Sequence, residues 1–247
     1  MTGTACIPVI LGPSLGTSSR VWRAAEPLLA TERRIIAVDF PGHGAAPRGS
    51  QPTSMAKLAD GVIAMADEAG VERFHYAGIS LGGAVGLALA LAYPGRLYSV
   101  SVICSAGRIS TSDAWKDRAA QVRAQGTPVL VEPSATRWFA PGFIASHPVT
   151  ASELLHDLSD ADDESYALLC EALAGFDVID RLSSIALPVL VLAGEHDAVV
   201  TPEDARATAD LIPGAAFDVV HGAGHLAPAE KPEAVASALN AFHGRVS

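Results

Sequence analysis

Residues 78–83 read Gly78-Ile79-Ser80-Leu81-Gly82-Gly83, a serine set between glycines at the spacing G-x-S-x-G. Small flanking residues allow a strand-to-helix turn tight enough to hold the Ser80 hydroxyl exposed on a strained backbone. The N–H of Leu81 then opens a helix and points where an oxyanion would form. A serine at its ordinary acidity is a weak nucleophile and needs a base. Of the eight histidines, His225 is the first choice. It sits in Gly222-Ala223-Gly224-His225-Leu226, the loop after the last predicted strand, and His221 in the same loop is the close rival. An acid must orient that base. Gly194-Glu195-His196-Asp197 follows the preceding strand and offers Asp197, with Glu195 as the alternative carboxylate. The chain order Ser80, Asp197, His225 is one in which such a triad occurs. A neutral Asn at 197 would lose both tautomer control and imidazolium stabilisation. His75 falls inside a predicted strand and reads as a core or edge residue. His43, in Asp39-Phe40-Pro41-Gly42-His43-Gly44, belongs to a loop that reads as structural, with pocket lining as the other reading.

The elements that must position these groups alternate along the chain. Apolar runs at 7–11, 34–39, 73–78, 97–103, 188–193 and 215–220 predict strands. Amphipathic stretches at 20–30, 54–69, 82–93, 203–211 and 230–243 predict helices, with Ser18 or Ser19 capping the first and Ser54 the second. Strands alternating with helices predict an α/β fold with a mostly parallel, doubly wound sheet. Residues 107–185 break the pattern: no strand is evident, helical stretches cover 112–125, 151–158 and 163–174, and Trp115 and Trp138 lie among them. A helical insertion between two core strands builds a cap over a site at the strand ends. The expected organisation is therefore a core of 1–106 and 186–247 and a cap of 107–185. The loop after the first strand, Leu11-Gly12-Pro13-Ser14-Leu15-Gly16, offers a second oxyanion donor, Leu15 first and Ser14 second.

Composition bounds the partners. A chain of 247 residues, 49% hydrophobic and 18% charged, is long enough for one large core. The net charge of −10 argues against nucleic acid or an anionic membrane as partner, though a local Arg can still serve an anionic small substrate. Cys6, Cys104 and Cys170 give neither a metal spacing nor a disulfide framework and read as small buried hydrophobes. The N-terminal stretch lacks the basic start and long apolar core of a signal peptide, and no apolar run nears the roughly 20 residues that span a bilayer. A cytoplasmic protein is the expectation.

The triad motifs resemble the α/β-hydrolase superfamily over nearly the whole chain. More narrowly, three stretches are similar to the 3-oxoadipate enol-lactonases of the β-ketoadipate pathway. They are Ser14-Leu15-Gly16-Thr17 with Trp22, the elbow Ile79-Ser80-Leu81-Gly82-Gly83, and the cap segments Ala114-Trp115-Lys116-Asp117-Arg118 and Arg137-Trp138-Phe139-Ala140-Pro141-Gly142-Phe143. Those lactonases, like this chain, lack the His-Gly that is usual in the first loop. The resemblance implies an α/β-hydrolase fold with the cap inserted after its sixth-strand region. It implies hydrolysis of an enol-lactone through an acyl-enzyme, with no metal or organic cofactor. The substrate would be a small ester or lactone bearing a carboxylate. A carboxylesterase, another lactonase or a cofactor-free perhydrolase on the same triad is the alternative. A substrate carboxylate suits a planar Arg fork, and Arg137 is the first candidate, Arg108 the second. Ser14, Trp115 and Trp138 are expected to line the pocket. Members of this fold begin with an antiparallel hairpin, for which about six residues before the first strand leave no room. A missing hairpin would expose a sheet edge and favour a homodimer.

Overall fold

Each short apolar run becomes a strand in the computed structural model, which describes residues 7–29 and 33–246. The strands are β1 (Val9–Gly12), β2 (Ile35–Ala37), β3 (Phe74–Ile79), β4 (Leu97–Ile103), β5 (Val189–Gly194) and β6 (Ala216–Val220). They form a single sheet in the order β2-β1-β3-β4-β5-β6, and every pairing is parallel. All residues of β1, β3 and β5 are buried. That is why these strands read as unbroken apolar runs: both faces of a parallel sheet are covered by crossover helices.

The helices are α1 (Glu26–Leu29), α2 (Met55–Glu68), α3 (Leu81–Ala92), α4 (Ser112–Gln125), α5 (Val131–Trp138), α6 (Phe143–Ser146), α7 (Pro148–Asp160), α8 (Asp163–Ala174), α9 (Pro202–Asp210), α10 (Ala227–Glu230) and α11 (Pro232–Gly244). Ser54, Thr111 and Asp162 cap α2, α4 and α8 through side-chain oxygens that accept from backbone N–H groups. Helix α3 is buried from Leu81 to Ala90, and its Gly and Ala residues let it lie close against β3 and β4.

Two local expectations change. The stretch 20–30 is not one helix: a 3-10 turn at Ser19–Trp22, capped by Ser18, precedes the separate single turn α1. Pro27 has no N–H to continue a helical ladder, and its ring would clash with the preceding turn, so the helix restarts there. Conversely, α5 forms where no helix was expected. Pro133 reads as a breaker, yet it stands third in α5, where a missing N–H costs nothing because first-turn N–H groups have no intrahelical acceptor.

Between β4 and β5 the chain contains no strand: α4 to α8, with a 3-10 turn at Thr127–Leu130 between α4 and α5, are followed by a second at Ile179–Ser184. Helices α4 and α8 pack on each other, and Arg123 of α4 is held between Glu164 and Glu171 of α8. Counted along the described residues, this insertion follows the fourth strand, because the two strands of the expected hairpin are not among them. That hairpin and Cys6 concern residues 1–6, which lie outside the described residues. Cys104 and Cys170 are buried and free. Among the described residues no helix is long and apolar enough to cross a membrane.

Candidate active site

Because all six strands run the same way, the loops after β1, β3, β5 and β6 gather at one edge of the sheet, where α/β proteins hold their ligands. Ser80 follows β3 directly, with φ 53° and ψ −115°, a region that non-glycine residues seldom occupy. The surrounding loops leave no room for anything larger than glycine. A Cβ at Gly78 would stand 2.2 Å from the Gly82 carbonyl oxygen, and one at Gly82 would stand 2.5 Å from that of Gly12. The turn is held open by its neighbours: Ser80 N–H donates to the Ile103 carbonyl at 2.9 Å, and the Ser105 hydroxyl donates to the Ser80 carbonyl at 2.8 Å. The Ser80 hydroxyl donates to no group among the described residues.

Three residues after β5, Asp197 turns its carboxylate inward. The N–H groups of Val199 and Val200 donate to its Oδ1 at 2.7 and 3.0 Å. His225 Nδ1 lies 3.0 and 2.9 Å from its two oxygens. A carboxylate only accepts, so Nδ1 carries the hydrogen, and Nε2 is the ring nitrogen turned away from Asp197. Both side chains are almost wholly buried. The rival groups face elsewhere. Glu195 accepts from Gly222 N–H at 2.7 Å and pairs with His221 at 3.3 Å, and the His221 side chain is 83% exposed. The structure therefore brings together Asp197 and His225, and not Glu195 and His221, at the inner edge.

Ser80 and His225 line one cavity of about 40 Å³. Ser14, Leu15, Trp115, Trp138 and Arg137 line it too, as does Arg118. The N–H groups of Leu15 and Leu81 donate to no group among the described residues. A wider basin of about 400 Å³ adjoins the cavity and shares Trp115, Arg118, Arg137 and Val199 with it. Arg108 belongs to that basin only, and it pairs with Asp177 at 3.3 Å.

Sequence reasoning missed Arg118, although it closes the Trp115-x-x-Arg118 motif. On α4 a spacing of three places it one turn from Trp115, whose ring it overlies at 5.2 Å. Neither Arg118 nor Arg137 has a carboxylate partner among the described residues. Burial, with the like charge of Arg118 beside it, holds the Arg137 guanidinium below its ordinary value. Glu230 was missed as well. Its buried carboxylate accepts from Ala140 N–H at 2.7 Å and Gly224 N–H at 3.0 Å, and the Trp138 carbonyl accepts from His225 N–H at 2.8 Å. These bonds fasten the loop of His225 to the end of α5. No local pattern around Glu230 marks it, since one of its two partners, Ala140, lies 90 residues away.

The donor atoms of Cys104, Asp197 and His225 fall within 4.8 Å of one another. Asp197 and His225 are committed there to each other, and burial pushes the Cys104 thiol well above its ordinary value.

A sequence profile described as the alpha/beta hydrolase family matches residues 9–238. 3-Oxoadipate enol-lactonase 2 of Acinetobacter baylyi is 36% identical over 96% of the chain and 88% of its own length. The crystal structure of the enol-lactonase from Burkholderia xenovorans LB400 superposes with a TM-score of 0.94 at 28% identity, covering 99% of this chain and 94% of that one. A thermophilic esterase from Thermogutta terrifontis, with malate bound, superposes with a TM-score of 0.92, also at 28% identity, covering 97% and 90%.

Proposed function

The chain belongs to the alpha/beta hydrolase family, and on that premise we propose that it is a serine hydrolase of 3-oxoadipate enol-lactone. Asp197, hydrogen-bonded to His225 beside a strained Ser80, supports the reaction class. The observation that carries the substrate reading is the pair Arg118 and Arg137, two guanidiniums without a carboxylate partner on the wall of the Ser80 cavity. Two like charges held together there call for an anion, and a lactone with a free carboxylate supplies one. The enol-lactonase relatives point to the same substrate, and the thermophilic esterase with malate bound was solved with a small carboxylate.

In this reading Ser80 Oγ attacks the lactone carbonyl as His225 Nε2 takes its proton. The Leu15 and Leu81 N–H groups receive the oxyanion. The ring C–O bond breaks, the enolate takes up a proton and becomes the ketone, and the acyl group stays on Ser80. Water, deprotonated by His225, then cleaves that ester. Segment 107–185 acts as a cap. The inner cavity has room for about two or three waters, so the wall formed by Trp115, Arg118 and Arg137 shifts to admit substrate from the outer basin.

The test is turnover of 3-oxoadipate enol-lactone beside a p-nitrophenyl ester, with Ser80→Ala as control. Lactone turnover that vanishes in the control supports the reading. Arg137→Ala then raises KM for the lactone about tenfold, the worth of one charge-assisted hydrogen bond, and leaves KM for the uncharged ester unchanged. The thermophilic esterase neighbour favours a second reading, a carboxylesterase on the same triad. Ester cleavage without lactone turnover would select it.

A further inference from the structure

We infer that His43 is a positioning residue for the oxyanion donor: its Nε2 accepts the Gly16 N–H at 3.1 Å and fixes the turn that presents the Leu15 N–H to the cavity. The inference rests on the serine-hydrolase reading and extends it to a residue that does not line the cavity.

The turn runs from Ser14 to Thr17 and is closed by Thr17 N–H donating to the Ser14 carbonyl at 3.1 Å. Gly16 has φ 78°, so this is a turn whose third residue must be glycine or something equally permissive. The peptide between Leu15 and Gly16 has two orientations in such turns, the difference between types I and II. An acceptor on Gly16 N–H selects one, and the Leu15 N–H, on the preceding peptide, is held through the closed turn. The loop does not supply that acceptor itself; it comes from a side chain 27 residues on. Gly16 is also closed in from above, since a Cβ there would stand 2.6 Å from a Leu158 methyl carbon of α7.

The tautomer follows from the second contact. His43 Nδ1 lies 3.0 Å from the Pro41 carbonyl, which only accepts, so Nδ1 carries the hydrogen and Nε2 is bare. The ring is 2% exposed and stacks on Tyr166 at 6.0 Å. Burial lowers its basicity against the opposing pull of Asp39, Asp157 and Asp162, and the Pro41 contact also opposes it. A neutral ring is what an acceptor at Nε2 requires. Ser14 and Leu15, which the turn carries, do line the cavity beside Ser80.

The experiment compares wild type, His43→Leu and His43→Gln in the full chain. It reads kcat and KM on whichever ester or lactone the wild type cleaves, and the rate of Ser80 labelling by a fluorophosphonate. An oxyanion donor acts in the transition state, so its displacement lowers kcat and spares KM. His43→Leu is expected to lose about 10- to 100-fold in kcat and in labelling rate, somewhat less than outright removal of a donor. His43→Gln, whose Oε1 reaches the place of Nε2, is expected to recover most of that loss. Equal losses in both variants would assign His43 to packing on Tyr166 and overturn the inference. An unimpaired His43→Leu with a reactive Ser80 overturns it alone, whereas an unreactive wild-type Ser80 overturns the hydrolase reading with it. Should His43→Leu not fold, NMR of the imidazole nitrogens in the wild type decides. A protonated Nδ1 with a bare Nε2 supports the inference, and a protonated Nε2 defeats it.

Discussion

Asp197 receives donors from three directions, and the identity of each sets what a substitution does. Val199 and Val200 N–H need an acceptor at Oδ1, and His225 Nδ1–H needs the carboxylate as well. Asn at 197 still offers one acceptor, so the loop keeps its shape, but its amide group is a donor that faces Nδ1–H and favours the other tautomer. Asp197→Asn is therefore expected to lower kcat about 10⁴-fold while the melting temperature stays close to that of wild type. A variant with near-normal kcat would remove Asp197 from the triad. Charge pairing separates Arg118 and Arg137 from six of the other arginines. Arg20, Arg23, Arg48, Arg96, Arg108 and Arg123 all meet carboxylates. Arg118 and Arg137 instead share a cavity wall with Ser80.

Whole elements are joined at the site by a few polar contacts. Asp157 of α7 accepts from the Ser18 hydroxyl at 2.6 Å and pairs with Arg20 at 3.1 Å, which ties the inserted helices to the loop after β1. Glu230, at the end of α10, ties the β6 loop to the end of α5. Glu230→Ala would leave Ala140 and Gly224 N–H groups buried without an acceptor. At about 1–3 kcal/mol for each orphaned donor, the expected loss is about 2–6 kcal/mol, together with a drop in kcat as the His225 loop loosens. Urea unfolding and steady-state kinetics on one preparation measure both. Unchanged stability would mean that water satisfies both donors in place of the carboxylate.

Across the whole molecule, the clearest acid-sensitive point lies away from the active edge. His75 of β3 and His243 of α11 are buried and stacked at 4.2 Å, and His75 Nδ1 is 2.8 Å from the Ser99 hydroxyl. Tyr98 flanks His75, with Arg73 over its ring. Burial, with Arg33 adding to it, lowers His75 to about 4, and burial with the charge of His75 lowers His243 further. A His with a depressed folded value is fully stabilising above its unfolded value of about 6.5 and loses that contribution as pH falls toward the folded one. Stability should therefore drop between pH 6.5 and 4, by about 3 kcal/mol for His75 alone at 1.36 kcal/mol for each pH unit. Melting curves at pH 7.5 and 5 would show it, and replacing both histidines with Phe should flatten the slope. A slope that survives that replacement would place the acid-sensitive groups elsewhere.

The sheet and the candidate catalytic positions both leave local marks in the sequence. A parallel strand buried on both faces reads as a mostly apolar run, and the elbow admits only glycine at positions 78 and 82, two residues either side of its serine. Asp197 and His225 were legible as the polar residues closing the loops after β5 and β6. That Asp197 meets His225 while Glu195 meets Gly222 and His221 depends on which way each side chain turns off its loop. Local composition carries no mark of that direction, because packing of the whole chain sets it. Packing also sets the partners of Gly16 and Ala140, since hydrogen bonds across 27 and 90 residues depend on how the sheet brings those loops together. Helix α5 was hidden for a related reason: a proline early in a helix reads locally as a break, and only the packing around α5 shows that the turn continues through it.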